Sequence, residues 1–307
     1  MDLIKQNIIN HALSLGFSSV GFSKAEFLQE ESFRLRKWLD NGYQGKMDYL
    51  NNYFDLRTDP TLLHEGTQTI ISLTFNYYNP SETSGNEVPK IAMYALGEDY
   101  HKVLRKKLKE LSNLLKNTID PGLNIRYFTD SAPIMERVWA KKSGLGWVGK
   151  NTLLINPKSG SYFFLAELLI NLEIEPDVEI NDHCGTCTRC IDACPTDAIA
   201  KDGYTMDGSK CISYLTIELK EDEIPIEFKD KMEGWAFGCD ICQQVCPWNR
   251  FSKPHNEIAF NPNPELLNLT SQEWMTMDQE AFDEKFAKSP IKRTGIKGMK
   301  RNVGFLG

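Results

Sequence analysis

Apolar residues recur along the first 175 positions with two periods, one typical of helices and one typical of strands. The helical period is clearest over residues 101–116, where leucines recur three or four positions apart and the other face is rich in Lys and Arg. The same period predicts helices over residues 3–15, 32–39 and 133–143. Apolar, β-branched runs predict strands over residues 19–22, 69–77, 91–96, 125–128, 152–155 and 162–174. Because helices and strands are intermixed, we expect an α+β fold.

Composition narrows the class of protein. Of the 307 residues, 41% are hydrophobic and 25% are charged, which is typical of a folded chain and not of a disordered one. No apolar run reaches the ~18 residues of a membrane span, and the start of the chain lacks the order of a signal peptide. We therefore expect a cytoplasmic protein with no membrane contact. The net charge of -7, taken alone, argues against binding to nucleic acid.

All eight cysteines lie between positions 184 and 246, in two runs with one cysteine between them. The first run has the Cys-x2-Cys-x2-Cys-x3-Cys-Pro spacing of ferredoxins with two [4Fe–4S] clusters, in which the fourth cysteine binds the other cluster. The second run is one cysteine short, and Cys211 supplies the missing ligand. This crossing-over assigns one cluster to Cys184, Cys187, Cys190 and Cys246, and the other to Cys194, Cys211, Cys239 and Cys242. A pair of zinc sites is the alternative, but zinc does not require this spacing.

The positions of the cysteines divide the chain into three predicted segments. Residues 1–175 form the α+β domain and contain no cysteine. Residues 176–251 form a ferredoxin-like domain with two [4Fe–4S] clusters. Residues 252–307 form a C-terminal extension, with one predicted helix over residues 279–286 and a basic tail.

Residues 144–149 fit the pattern G-x-G-x-x-G but not its usual context. A dinucleotide-binding motif follows a strand and begins a helix, whereas here a helix is predicted before the motif and a strand after it. A phosphate-binding loop would have Ser or Thr after Lys150, and this chain has Asn151. We expect a helix stop with a tight turn, or a backbone that approaches a large flat ligand closely.

Motifs spread over nearly the whole chain resemble those of the epoxyqueuosine reductase family, cobalamin- and iron–sulfur-dependent enzymes of tRNA queuosine synthesis. They are Leu-Arg-Thr-Asp-Pro at 56–60, Gly-Glu-Asp-Tyr-His at 97–101, Asp130 ahead of Glu136-Arg137, Gly-Trp-Val-Gly-Lys-Asn at 146–151, Gly-Ser-Tyr at 160–162, Cys-Ile-Ser-Tyr-Leu-Thr at 211–216, and residues 289–302. The cysteine spacing alone indicates only ferredoxin-like electron transfer. The combination of motifs in this order is specific to the family.

The resemblance implies an oxidoreductase that reduces epoxyqueuosine to queuosine at the wobble position of tRNA, using cobalamin reduced through the two [4Fe–4S] clusters. It implies that residues 1–175 bind cobalamin in a nitroreductase-like fold. The implied partners are tRNA with a modified wobble base and a low-potential electron donor, and we expect the protein to be a monomer. The motif Asp-x-His-x-x-Gly does not occur in the sequence, so we expect cobalt to lack a protein imidazole ligand.

The resemblance also selects residues for the active site. Asp130 matches the proton donor of the family, and burial against the corrin should raise its pKa so that it is protonated near neutral pH. The alternative is that Asp130 is an ordinary N-cap of the predicted helix that follows. Four residues match positions expected around cobalamin, in addition to Asp130: Arg57, Lys150, Asn151 and Ser213.

The last 20 residues carry six basic side chains and no acidic one, which leaves residues 1–287 with a net charge of -13. An acidic protein with one basic face can still bind phosphates, although a solvated charged tail is the alternative. The candidate tRNA contacts are Lys292, Arg293, Lys297, Lys300 and Arg301. The candidates for stacking on anticodon bases are Trp147, Trp235 and Trp248, which could equally belong to the core.

Two other functions fit parts of the sequence. The chain could be an iron–sulfur electron-transfer protein whose first domain only docks a redox partner. It could also be a corrinoid reductase of small molecules that resembles reductive dehalogenases. Corrinoid binding would exclude the first of these, and salt-sensitive tRNA binding would argue against the second.

Overall fold

The fold is built around a four-stranded antiparallel sheet, seen in a computed structural model that describes residues 3–80 and 88–307. The strands are β1 (Ser19–Lys24), β2 (Thr69–Asn76), β3 (Lys90–Ile91), β4 (Ile125–Phe128), β5 (Trp147–Val148), β6 (Leu154–Ile155), β7 (Phe163–Ile170) and β8 (Trp235–Phe237). The α-helices are α1 (Leu3–Ser14), α2 (Gln29–Asp40), α3 (Phe54–Thr58), α4 (Pro60–Leu63), α5 (Tyr100–Thr118), α6 (Glu136–Lys142), α7 (Arg189–Asp192), α8 (Ile241–Gln244), α9 (Pro264–Asn268), α10 (Ser271–Thr276), α11 (Gln279–Lys285) and α12 (Gly295–Leu306). Within the described ranges, no helix is long and apolar enough to cross a membrane.

Helices cover both faces of the sheet, whose strand order is β1-β2-β7-β4. Helices α1 and α5 pack on one face, where Leu104 joins Leu73 and Leu168 in the core. Helix α6 packs on the other face, where Trp139 contacts the core around Ile70. Because strands β2 and β7 are buried on both faces, they appear in the sequence as continuous apolar runs and not as alternating patterns.

The predicted elements are present, with ends that differ by a few residues, except over residues 91–96. There the strand ends at Ile91, and a 3₁₀ turn, Met93–Ala95, follows. Strand β3 pairs in parallel with β8 of the cysteine segment. The backbone N–H of Met93 then donates to the carboxylate of Asp240 at 2.7 Å, in place of a strand neighbour. A side-chain contact from a distant segment therefore ends the strand early.

The three predicted segments share their hydrophobic cores. One core contains Ile91 from the first segment, Phe237 from the second and Trp274 from the third. Phe260 of the third segment lies in the core around the sheet. The structure therefore packs across both predicted boundaries, at residues 176 and 252.

The basic end of the chain is packed against the rest of the protein and is not a solvated tail. Helix α12 buries Met299 and Val303 in the core that it shares with β8. The side-chain amide of Asn302 donates to the backbone oxygens of Thr216 and Ala236, both at 2.8 Å. Removing residues 288–307 would therefore disrupt the fold as well as remove charge.

We expect Met299→Ala to lower the free energy of unfolding by about 2–5 kcal/mol, because it leaves a cavity in this shared core. The matched control is Met275→Ala, since the side chain of Met275 is 46% exposed. A surface change of this kind should alter the free energy by no more than about 0.5 kcal/mol. Urea unfolding under anaerobic conditions measures both, and equal midpoints for the two variants would contradict the assigned packing.

Candidate redox and acid–base site

Three cysteines of the first run and one cysteine of the second run line one cavity. They are Cys184, Cys187, Cys190 and Cys246. The two cysteine runs meet because the short helices α7 and α8, each of which contains a cysteine, pack against each other. The indole N–H of Trp147 donates to the sulfur of Cys184 at 3.5 Å. These are the four cysteines that the spacing assigns to one cluster.

The other four cysteines influence one another electrostatically, which indicates that they lie close together. Burial raises the pKa of Cys211, and the neighbouring Cys194 raises it further. Burial, followed by charges that include Cys211, raises the pKa of Cys239 to about 12. Burial, followed by the charges of Cys211 and Cys239, holds the pKa of Cys242 well above its ordinary value. Such thiols ionise only beside a strongly positive group, which an iron–sulfur cluster provides.

The arrangement of these sulfurs suits clusters better than single ions. In the described part of the chain, no three His, Cys, Asp or Glu side chains converge closely enough to hold one metal ion. A [4Fe–4S] cluster is larger than a zinc ion and takes one cysteine at each corner. Eight cysteines in two groups of four are the donor set that two such clusters require.

Lys150 and Asn151 lie against the cysteine loops. The ammonium of Lys150 donates to the backbone oxygens of Gly185 and Cys187, at 2.7 Å and 3.0 Å. The side-chain amide of Asn151, which is 1% exposed, lies 3.4 Å from the backbone oxygen of Cys242. Both residues line the cavity of the first four cysteines. The structure thus places these two predicted cobalamin contacts where they brace the cluster loops.

The glycine motif at 144–149 shapes the turn that carries Lys150. Helix α6 precedes it and β6 follows it, as the sequence predicts, so it does not have the dinucleotide-binding context. A Cβ added at Gly146 would lie 2.2 Å from the backbone oxygen of Ile155, and one at Gly149 would lie 2.4 Å from its side chain. The glycines are therefore needed for close packing against β6.

Asp130 lies in the loop after β4 and is not a helix cap. Helix α6 begins six residues later, and its N-cap position is Met135. The carboxylate of Asp130 accepts a short hydrogen bond from the hydroxyl of Tyr100. It also forms an ion pair with Nε2 of His101 at 3.6 Å. Nδ1 of His101 lies 2.8 Å from the carboxylate of Asp99, which orients the imidazole toward Asp130.

The protein lowers the pKa of Asp130, against the expectation that burial would raise it. Burial does act to raise this pKa, but the contacts with His101 and Tyr100 outweigh burial. Burial acts to lower the pKa of His101, while Asp130 and Asp99 raise it to about 9. At neutral pH the proton therefore resides on His101, next to a carboxylate that can accept it. The expectation of a raised pKa concerned burial against the corrin and stays a prediction, whereas the groups of the chain itself act to lower the pKa of Asp130.

Further charged and aromatic side chains lie around Asp130, whose own side chain is 57% exposed. The charges of Glu218, Arg293 and Asp130 all act on the phenol of Tyr49. Arg293 forms an ion pair with Glu218 at 2.7 Å. We call the group formed by Tyr49, Tyr100, His101, Asp130 and Arg293 the Asp130 site. Sequence reasoning selected Arg293 for tRNA phosphate, and nothing in the sequence singled out Tyr49.

Arg57 and Ser213 occupy different positions near this site. Arg57 lies on α3, near enough to Tyr49 for the two groups to interact electrostatically. Its buried Nε has no hydrogen-bond partner in the described structure. The backbone N–H of Ser213 donates to the thiol of Cys211. Ser213 also precedes the π-helical segment Tyr214–Glu218, which carries Glu218 to the Asp130 site.

The other candidate tRNA residues differ in how accessible they are. Arg301 donates to the backbone oxygens of Leu215, Leu219 and Glu221 at 2.7–2.9 Å, which leaves it poorly suited to bind phosphate. Lys297 pairs with Asp222, but both side chains are more than three-quarters exposed. Such surface pairs are weak and give way to a stronger anion.

Lys292 and Lys300 lie in the same part of the chain. Lys292 pairs with Asp283 at 3.2 Å. Lys300 has no ion pair among the described residues and lies on α12.

Of the aromatic candidates, Trp147 and Trp235 are buried, at 1% and 4% exposed. Trp248 is half-buried and lines the cavity of the first four cysteines.

Fold and site together define an iron–sulfur oxidoreductase with an acid–base group at Asp130. Residues 183–249 match the family model of the 4Fe-4S double cluster binding domain. Residues 57–131, which end one position after Asp130, match the family model of epoxyqueuosine reductase QueG.

The chain belongs to the epoxyqueuosine reductase family. It is 53% identical over 305 residues to the epoxyqueuosine reductase of Cellulophaga algicola, covering 99% of this chain and 97% of that protein. A crystal structure of epoxyqueuosine reductase with an epoxyqueuosine-modified tRNA-Tyr stem loop is 30% identical, with a TM-score of 0.88, over 99% of this chain and 80% of that one. A structure from Bacillus subtilis, with its catalytic aspartate loop swung out of the active site, is 31% identical with a TM-score of 0.86, over 99% and 80% of the two chains.

Proposed function

We propose that this protein reduces epoxyqueuosine to queuosine in tRNA, with Asp130 as the proton donor. The observation that carries the proposal is the arrangement of Asp99, His101 and Asp130, which joins a proton-bearing imidazole to an accessible carboxylate. The site lies in a chain that also groups eight cysteines for two [4Fe–4S] clusters. The relative crystallised with an epoxyqueuosine-modified stem loop supports the same substrate for this chain.

Two residues of the chain fit a role in holding cobalamin. Arg57 has a buried Nε without a partner, and such an orphaned donor is satisfied when a polar ligand group binds. Ser213 lies between Cys211 and the segment that reaches the Asp130 site. Cobalamin, when bound, would supply a reducible cobalt centre fed with electrons from the clusters. A nitroreductase-like fold for residues 1–175 is part of this proposal, supported by the antiparallel sheet with helices on both faces.

The acid–base residues account for the protons of the reaction. Removal of the epoxide oxygen as water consumes two electrons and two protons. His101, which carries the proton at neutral pH, passes it to the Asp130 carboxylate across the 3.6 Å contact, and Asp130 gives it to the departing oxygen. Solvent then reprotonates His101, and the same route delivers the second proton. Asp99 holds the imidazole in place. The hydroxyl of Tyr100 donates to the same carboxylate and fixes its direction.

Mass spectrometry of tRNA nucleosides tests this function. The anaerobically purified protein is incubated with cobalamin, a low-potential reductant and tRNA that contains epoxyqueuosine. We expect conversion to queuosine, with loss of one oxygen. A protein that binds no corrinoid would instead be an electron-transfer protein. A protein that binds corrinoid but shows no salt-sensitive binding to tRNA would favour a small-molecule reductase.

We propose that tRNA phosphates contact Lys292 and Lys297, which are exposed, and Lys300, which is half-buried. We expect Lys300→Gln to weaken tRNA binding and to reduce the slope of log K against log salt concentration by about 0.7–0.9, the value for one phosphate contact. Lys116→Gln, in the last turn of α5, is the control and should leave the slope unchanged. An unchanged slope for Lys300→Gln, measured by filter binding over a series of salt concentrations, would remove this residue from the interface.

The proposed function also includes a monomeric protein and a separate low-potential electron donor.

A further inference from the structure

The Asp130 loop has a second attachment that the acid–base chemistry does not use. The backbone N–H of Asp130 donates to Oε1 of Glu136 at 2.6 Å. Asp130 has a φ of 46°, in the left-handed region that residues other than glycine seldom adopt. A backbone in this conformation persists only when its surroundings hold it there. The contact with Glu136 holds the backbone, while Tyr100 and His101 hold the side chain.

Behind Glu136 lies a second carboxyl group, that of Glu167. Glu167 is in the middle of β7, opposite Phe128 of β4, and is 0% exposed. Neither of its carboxyl oxygens has a hydrogen-bond donor among the described residues. Helix α6 packs on β7 and brings Glu136 close enough to Glu167 for the two carboxyl groups to act on each other's pKa. Two ionised carboxylates in this position would repel each other and leave buried oxygens without donors, whereas one shared proton gives each group a partner.

We propose that Glu136 is a positioning residue for Asp130, and that a proton shared with Glu167 keeps it in place. Protonated Glu167 donates to Glu136, which accepts the backbone N–H of Asp130. The pair forms a latch that docks the Asp130 loop in the active site. This inference rests on the proposed role of Asp130 as proton donor.

The charges around Glu136 and Glu167 determine how the latch responds to pH. Asp130 faces it from the loop after β4, and Arg137 is its neighbour on α6. His101 lies beyond Asp130. Burial, followed by the charge of Asp130, raises the pKa of Glu136 to about 7. Burial, followed by the charge of Glu136, raises the pKa of Glu167 well above its ordinary value.

A group whose pKa is raised on docking stabilises the docked state at low pH and loses that effect as the pH rises through the raised value. Glu167, the more strongly shifted of the two groups, keeps the shared proton when Glu136 ionises near pH 7. The latch should therefore hold on both sides of neutral pH, and it opens only when the last proton leaves the pair and two negative charges stand beside Asp130. In the Bacillus subtilis relative, a catalytic aspartate loop is found swung out of the active site.

Hydrogen exchange of residues 129–135 in the cluster-containing protein tests the latch without measuring activity. After correction for intrinsic rates, we expect the wild type to stay protected at both about pH 6 and about pH 8.5, because the shared proton remains on the pair. Glu167→Gln should stay protected at both values, because its amide donates to Glu136 and does not titrate. Glu136→Ala should be unprotected at both values, and Glu136→Gln, which keeps an acceptor oxygen, should restore protection.

The control is Glu173→Gln, an exposed carboxyl just after β7, which should behave as wild type. In turnover, Glu136→Ala should lower kcat and leave the KM for tRNA unchanged, because the loop acts in catalysis and not in binding. Protection in Glu136→Ala equal to that in the wild type would overturn the proposal. Protection that changes as expected in a protein that does not convert epoxyqueuosine would instead overturn the proposed function and leave the latch in place.

Discussion

Asp130→Asn should lower the rate of epoxyqueuosine reduction by about 10²–10⁴-fold, the usual contribution of a general acid. Asparagine tolerates the left-handed backbone at this position, where φ is 46°, and its amide oxygen can still accept the hydroxyl of Tyr100. It cannot carry a transferable proton, so the contact with His101 loses its function. Single-turnover mass spectrometry of the tRNA nucleosides measures the rate directly.

The matched control for this substitution is Asp230→Asn. Asp230 is exposed and has a φ of 67°, so the same chemical change is made in the same backbone region. Both variants should retain both clusters and bind cobalamin, as measured by iron content and absorbance. Turnover of Asp130→Asn within tenfold of the wild type would show that another group supplies the proton.

Substitution of the cluster cysteines in pairs should show which cysteines share a cluster. Cys184→Ser and Cys246→Ser should each lose half of the iron and abolish tRNA turnover, because electrons then cannot pass through both clusters. The double variant of these two should lose no more iron than either single variant, since both belong to the same cluster. The double variant Cys184→Ser with Cys194→Ser should lose nearly all the iron, since it removes a ligand from each cluster. Iron analysis and electron paramagnetic resonance of anaerobically purified protein measure these results.

The iron content of the double variants would differ if the clusters did not share cysteines between the two runs. If each cysteine run held its own cluster, the pair Cys184 and Cys194 would behave as one site and the pair Cys184 and Cys246 as two. Ser209→Ala provides a control next to Cys211 that changes no thiol, and it should retain all the iron. A loss of iron in this control would indicate loop disruption and not loss of a ligand.

Several contacts of the site depend on strands and loops that are far apart in the sequence. Asp130 meets Tyr100 and His101 because β4 and α5 pack side by side. Glu136 meets Glu167 because α6 packs on β7. Nothing in the spacing of these residues predicts such meetings, although Glu136 stands in a motif that the family resemblance had already picked out. For the same reason, the sequence did not show that Lys150 lies against the cysteine loops or that Arg293 pairs with Glu218.

The sequence by itself determined the periods of the helices and strands, the grouping of cysteines by spacing, and the family. These properties are local, because backbone periodicity and ligand spacing are set within a few residues along the chain. Only the tertiary structure showed that Asp130 lies in a loop beside Tyr100 and His101 and is not a helix cap, and that the basic end is a packed helix. It also brought Glu167 to Glu136. These are contacts between elements that are far apart in the sequence, and local periodicity carries no information about which side chains of distant elements meet.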